Sequence, residues 1–142
     1  MAILFPNNNH KIINSIMSVK AKYQAVLDLG QELGIQGGDV SEDGGVLKVK
    51  GEANTPYEKN VIWDKIKEIG GESPSDIKAN ITVADNSVYH RHTVKSGESL
   101  SKIAKHYYGD AMKYNKIFEA NTDQLKNPDL IHPDQVLVIP NI

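Results

Sequence analysis

The chain has 142 residues, with 16 Lys and Arg against 18 Asp and Glu, a formal net charge of −2, 39% hydrophobic residues and no Cys. That length holds one ordinary domain or two small ones, and the composition is that of a globular chain. Without Cys there is no disulfide framework, no thiolate metal site and no cysteine nucleophile, so packed cores alone must stabilise it.

No apolar run approaches the roughly 18 residues of a membrane span. The N-terminus also lacks the charged, apolar, then small-residue order of a secretory signal, so cytoplasmic residence is the expectation. Of the basic and acidic side chains, residues 1–85 hold 9 and 12, and residues 86–142 hold 7 and 6. Neither half carries the cationic footprint that a phosphate backbone requires, and no nucleic acid partner is expected.

In chain order, Met1 to Phe5 is a short apolar patch, broken by Pro6 and by Asn7, Asn8 and Asn9. Residues 1–16 read as a loosely held extension, with Met17 a second candidate start. From Met17, the positions Val19, Tyr23, Val26 and Leu33 recur at helical spacing and predict a helix to Leu33, stopped by Gly34. Asp43-Gly44-Gly45 is a hairpin turn, followed by Leu47 and Val49 alternating with Lys48 and Lys50; the first arm, around Val40 to Glu42, is expected to be short. Asp39, Glu42 and Asp43 lack the alternation of a calcium loop and read as a solvated tip.

Thr55-Pro56-Tyr57-Glu58 is a capping box with proline at the first helical position, opening a helix through Val61, Ile62, Ile66 and Ile69 to Gly70 and Gly71. Trp63 sits in this apolar stretch and reads as a core or junction anchor. Ile77, Ala79, Ile81 and Val83 then alternate with Lys78, Asn80 and Thr82 as a strand. The order helix, strand, strand, helix, strand, with Gly51 after the second strand, resembles a BON domain over residues 17–85.

A polar stretch, Asp85 to Ser87, reads as a boundary. Beyond it His92-Thr93-Val94 reads as a strand, Ser96-Gly97 as a turn and Ser99 as a helix cap. Leu100, Ile103, Ala104 and Tyr107 form one helical face ending at Gly109. Asp110 can cap a second helix that turns Tyr114, Ile117 and Phe118 inward up to Asn121. A loop, Thr122 to Pro133, leads to a closing strand, Val136 to Ile139. His90 and His92 would share a strand face, yet Arg91 between them and the lack of a third ligand argue against a metal.

The words HTVKSGESL, IAKHYYGD, NKIFEAN and NPDLIHPDQVLVIP resemble a LysM domain across nearly all of residues 89–140, within a domain expected over residues 86–142. Glu98 and Ser99 stand where that family has Asp and Thr, and Asp134 stands where it favours a turn glycine. Asp tolerates a left-handed backbone better than most residues, so the turn should survive. The fold expected is therefore α+β, an N-terminal BON-like αββαβ domain followed by a LysM βααβ domain.

The LysM resemblance implies recognition of an N-acetylglucosamine-type glycan, as in peptidoglycan, by Gly97, Glu98, Ser99 and Leu100 on one wall and Asp129, Leu130, Ile131 and His132 on the other. The same residues have plainer readings: Gly97 as a turn glycine, Ser99 as a cap, Leu130 and Ile131 as core plugs. A BON-like half joined to LysM also resembles a bacterial cytoplasmic potassium-binding family. That implies potassium binding by the BON-like domain and its junction with the LysM domain, in a backbone carbonyl cage from Ser15 to Lys20 and Ile69 to Glu72, near Val19, Lys20, Gly70 and Gly71. A protein-binding adaptor is the third reading. No cofactor other than a potassium ion is expected, and none of the motifs of nucleophilic, phosphoryl-transfer or metallohydrolase chemistry is present, so the protein is expected not to be an enzyme.

Overall fold

The computed structural model describes residues 19–142; the expectations for residues 1–16 and for Met17 lie outside them. The chain divides into two compact units, the first of residues up to 54 with 58–84, the second of residues 55–57 with 85–142.

The first unit is a three-stranded sheet with helices on one face. Its helix α1 (Gln24–Glu32) precedes strands β1 (Gln36–Asp43) and β2 (Val46–Ala53), helix α2 (Pro56–Gly70), whose first two residues fall in the second unit, and strand β3 (Ile77–Val83). Strand order is β1-β2-β3, antiparallel in the first pair and parallel in the second. The alternation along β2 is the one expected: Leu47 and Val49 are buried while Lys48 and Lys50 are exposed. They meet Tyr23 and Val26 from α1 and its lead-in, Ile62 and Ile66 from α2, and Ile77 and Ile81 from β3. Trp63 packs against the edge of this core.

Three local expectations need correction. The helix expected from Met17 to Leu33 breaks at Tyr23, whose backbone leaves the helical range at φ −102°, ψ 16°. The fully buried Tyr23 ring donates its hydroxyl to Asp76 Oδ1 at 2.5 Å, so a long-range bond coincides with the break. Strand β1 runs eight residues instead of three, and all eight are exposed. Backbone pairing with β2 builds it, around a bulge between Gln36 and Asp39, and no buried side chain announces it. Gly51 lies inside β2, not after it: a Cβ there would meet Ile35 Cγ2 at 2.5 Å, so the missing side chain lets Ile35 pack across the strand.

The second unit has strands β4 (His90–Thr93) and β5 (Val136–Ile139), helix α3 (Leu100–Tyr108), a 3₁₀ turn (Ala111–Lys113) and helix α4 (Tyr114–Ala120). The caps fall where the sequence puts them. Ser99 Oγ accepts from the Lys102 amide at 3.2 Å, Gly109 closes α3 in a left-handed conformation, and Asp110 accepts from the Met112 amide at 2.9 Å. Strands β4 and β5 pair antiparallel, from His90 with Ile139 to Thr93 with Val136. Leu100, Ile103, Ala104, Ile117, Leu125, Leu137 and Ile139 form the core.

A two-stranded ladder is marginal by itself, and here a buried amide completes it. Asn121, 1% exposed, donates Nδ2 to the Val138 carbonyl at 2.8 Å and accepts from the Val138 amide at 2.8 Å; Nδ2 also meets the Ile117 carbonyl at 2.7 Å. We expect Asn121→Ala to cost about 2 to 4 kcal/mol, because it strands both backbone groups of Val138 in a half-buried site. A thermal melt followed through the amide signals of Leu137 and Ile139 measures this. A loss below about 1 kcal/mol would mean that water replaces the amide.

Candidate functional site

The candidate loops of the second unit leave one end of the β4–β5 ladder. Beyond the last pair, Thr93 with Val136, the Val94 amide donates to the Gln135 carbonyl at 2.8 Å and the Asp134 amide to the Val94 carbonyl at 2.7 Å. The segment after β4 and the segment before β5 therefore leave the ladder at the same end. Residues 97–99 follow that end on one side, and 129–132 precede it on the other.

On the first loop, residues Lys95 to Glu98 make a turn closed by Glu98 N–H to the Lys95 carbonyl at 3.2 Å, with Gly97 at φ 86°. Only glycine takes that backbone freely, and Gly97 is exposed. The Lys102 ammonium holds its carbonyl at 3.2 Å. Glu98 Oε1 returns to the Lys95 amide at 2.7 Å and also takes His92 Nε2 at 2.8 Å, while His92 Nδ1 lies 2.8 Å from the Tyr107 hydroxyl. Both histidine nitrogens are thus occupied, which removes His92 from metal chemistry. Among the described residues no cluster of three metal-ligating side chains occurs.

Ser99 is exposed and serves as the helix cap. Leu100 is 2% exposed, so its side chain belongs to the core and only its backbone lies on the wall.

The second loop is tied internally. The Asp129 amide donates to Asn127 Oδ1 at 2.9 Å, the Leu130 amide to the Asn127 carbonyl at 3.1 Å, and the His132 amide to Gln135 Oε1 at 3.1 Å. Leu125, absent from the sequence reading, is the plug beneath it at 1% exposed. Ile131 leans on the core, whereas Leu130 stands 56% exposed with Asp129 and His132 exposed beside it. Asp134 closes the loop at φ 71°, the one non-glycine left-handed residue among those described. An apolar side chain flanked by free polar groups and exposed backbone is a surface that an acetamide or a sugar face can meet.

In the first unit, Gly70 ends α2 and Gly71 follows at φ 90°. A Cβ on Gly70 would come within 2.2 Å of the Tyr23 hydroxyl and 2.9 Å of Pro74 Cβ, so Gly70 packs directly on Tyr23. The Tyr23 amide in turn donates to the Val19 carbonyl at 3.2 Å. Tyr23 thus meets Val19 through its backbone amide and Gly70 through its hydroxyl, at opposite ends of the residue. Ser15 to Ser18, the rest of that first stretch, lie outside the described residues. Burial, then the Asp76 carboxylate, pushes the Tyr23 hydroxyl up to about 12. Lys22, at 2.6 Å, is the main cause holding Asp76 below the usual carboxylate range.

Within the second unit, residues 92–140 match the family model for the LysM domain. Over 96 residues, 68% of its length, the chain is 42% identical to a protein of Escherichia coli O6:H1 named "Potassium binding protein Kbp", covering 64% of that protein. It is also 37% identical over 116 residues to an uncharacterized protein of Deinococcus radiodurans, covering 72% of this chain and 44% of that one. The chain thus spans less than two thirds of the length of either relative.

Burial by itself would raise the Glu98 carboxyl, but hydrogen bonds from His92 and from the Lys95 amide outweigh it and hold Glu98 below its ordinary 4.5. A carboxyl depressed in the folded state contributes stability that is present above its unfolded value and lost as pH falls through its folded value. Glu98→Gln should therefore lower the melting temperature of the second unit at neutral pH, and the gap to wild type should narrow as pH falls to about 3. A gap that stays constant on acidification would show that the Glu98 charge adds nothing.

Proposed function

We propose that this is a non-catalytic binding protein whose LysM domain takes an N-acetylglucosamine-type glycan along the surface of Gly97, Glu98, Ser99 and the Leu100 backbone facing Asp129, Leu130, Ile131 and His132. The observation that carries the reading is the common exit of the two loops from one end of the β4–β5 ladder, with Leu130 standing out of the second. The left-handed Gly97 leaves backbone open to approach, and Leu130 offers an apolar rest for a methyl or sugar face. One shallow module supports affinity on the order of millimolar to micromolar. Titration of the full chain with chitotetraose should move the amide signals of 97–100 and 129–132 together. Shifts confined elsewhere, or none at about millimolar sugar, would remove the reading.

The second reading is potassium binding by the first unit, and a specific observation favours it. The 96-residue match to the relative named as potassium binding is longer than the 49 residues of the LysM match, so part of that likeness lies outside the LysM domain. A potassium ion is held by carbonyl oxygens that replace its hydration shell, and the glycine stretch such a cage would draw on packs on the hydroxyl of Tyr23, the residue four after Val19. The two ligands fall on different units, so the readings do not compete. Melting in KCl should exceed melting in NaCl of equal ionic strength for first-unit signals, because a specific ligand stabilises by mass action and general salt does not. Equal melts in the two salts would rule the reading out.

A further inference from the structure

The turn that presents Gly97 is held from outside by a relay whose proton positions can be assigned. Glu98 Oε1 accepts from the Lys95 amide at 2.7 Å and meets His92 Nε2 at 2.8 Å. A carboxylate oxygen only accepts, so His92 Nε2 carries a proton. In the neutral ring this leaves Nδ1 as an acceptor, and the Tyr107 hydroxyl 2.8 Å away is the donor that satisfies it. One tautomer therefore completes every bond in the series Tyr107, His92, Glu98, Lys95, and the other tautomer leaves two acceptors facing each other at Glu98. The His92 side chain is 13% exposed and that of Glu98 28%, so water poorly replaces a bond lost here. Lys95 and Glu98 face the ring from the turn, and Tyr107 faces it from α3. Arg91, next in sequence, turns to Asp85 at 2.7 Å.

We propose that His92 is a positioning residue of the LysM site: as its Nε2–H tautomer, anchored on Tyr107, it fixes Glu98 and thereby the Lys95–Glu98 turn that offers Gly97 to a ligand. This deepens the glycan reading and rests on it for the ligand, while the holding of the turn stands on geometry within the domain. His92 touches no ligand surface itself, since both its nitrogens are committed inward. A packing role alone is the alternative, and it predicts that volume matters and hydrogen-bonding atoms do not.

Three variants of the full chain separate the two. His92→Gln keeps a donor near the Nε2 position, His92→Asn keeps only an acceptor near Nδ1, and His92→Phe keeps only bulk. The readouts are the ring nitrogen shifts of wild-type His92 without ligand, hydrogen exchange of the Lys95 amide, and chitotetraose affinity. The expected wild-type spectrum shows a protonated Nε2 and a bare Nδ1. Lys95 exchange should quicken about tenfold in His92→Asn and His92→Phe, with affinity falling about tenfold, the size of one lost hydrogen bond of about 1.4 kcal/mol. His92→Gln should stay within about threefold of wild type on both.

An Nδ1–H tautomer, or Lys95 protection in His92→Phe equal to wild type, would overturn the proposal. If His92→Phe fails to fold, the tautomer and the Gln-against-Asn contrast still decide it. A wild-type chain that shows the expected tautomer and exchange pattern yet ignores chitotetraose would overturn the glycan reading and leave the positioning of the turn standing.

Discussion

In the second unit, β5 has an edge turned away from β4, and the backbone groups on that edge must find partners other than a strand. Asn121 supplies them, with its carbonyl oxygen and amide nitrogen each 2.8 Å from the backbone of Val138, in the geometry a neighbouring strand would use. Gln124 adds a bond from Nε2 to the Val136 carbonyl at 2.8 Å. Because Asn121 ends α4 and Gln124 begins the long loop, these bonds lock helix, loop and strand to one another. Leu137 and Ile139 can then be fully buried between the ladder and the helices. A domain this small, with no disulfide to restrain its unfolded chain, needs each buried backbone group satisfied, since one orphan costs about 1 to 3 kcal/mol of a small total.

That framework also holds the two loops of the second unit in place. A long loop is costly to order for each new ligand, and here the ordering is done in advance: Leu125 plugs its base, Asn127 and Gln135 turn its middle back on itself, and Asp134 spends a strained left-handed backbone to rejoin β5. The opposite turn is set by the Glu98 carboxylate. Loops ordered in advance lower the entropic cost of any contact they make, which is what the proposed glycan surface would require.

How much of this was legible in the sequence follows from which atoms carried each feature. Caps and left-handed turns announce themselves in side-chain chemistry, so Ser99, Asp110, Gly97, Gly109 and even Asp134 could be read at their positions. The alternation of Leu47 and Val49 with lysines fixed the buried face of β2. Strand β1 was mostly illegible because backbone pairing makes it and none of its side chains is buried. Gly51 misled because a strand glycine and a turn glycine look alike until Ile35 is seen lying across it. The break at Tyr23 coincides with a bond to Asp76, fifty-three residues away, and no window of local spacing contains that pair.

The site shows the same division. The residues on the two loops were nameable from motif words, but their roles separated only in space: Leu100 goes to the core, Leu130 to the surface, and Leu125, which the words passed over, seals the loop. His92 is the sharpest case. In sequence it pairs with His90 as half of a weak metal motif, while in the fold both its nitrogens point into a hydrogen-bond series that ends at the turn. A histidine flanked by a tyrosine and a carboxylate has only one neutral tautomer that satisfies all three, so the chemistry of its neighbours decides its role where its spacing could not.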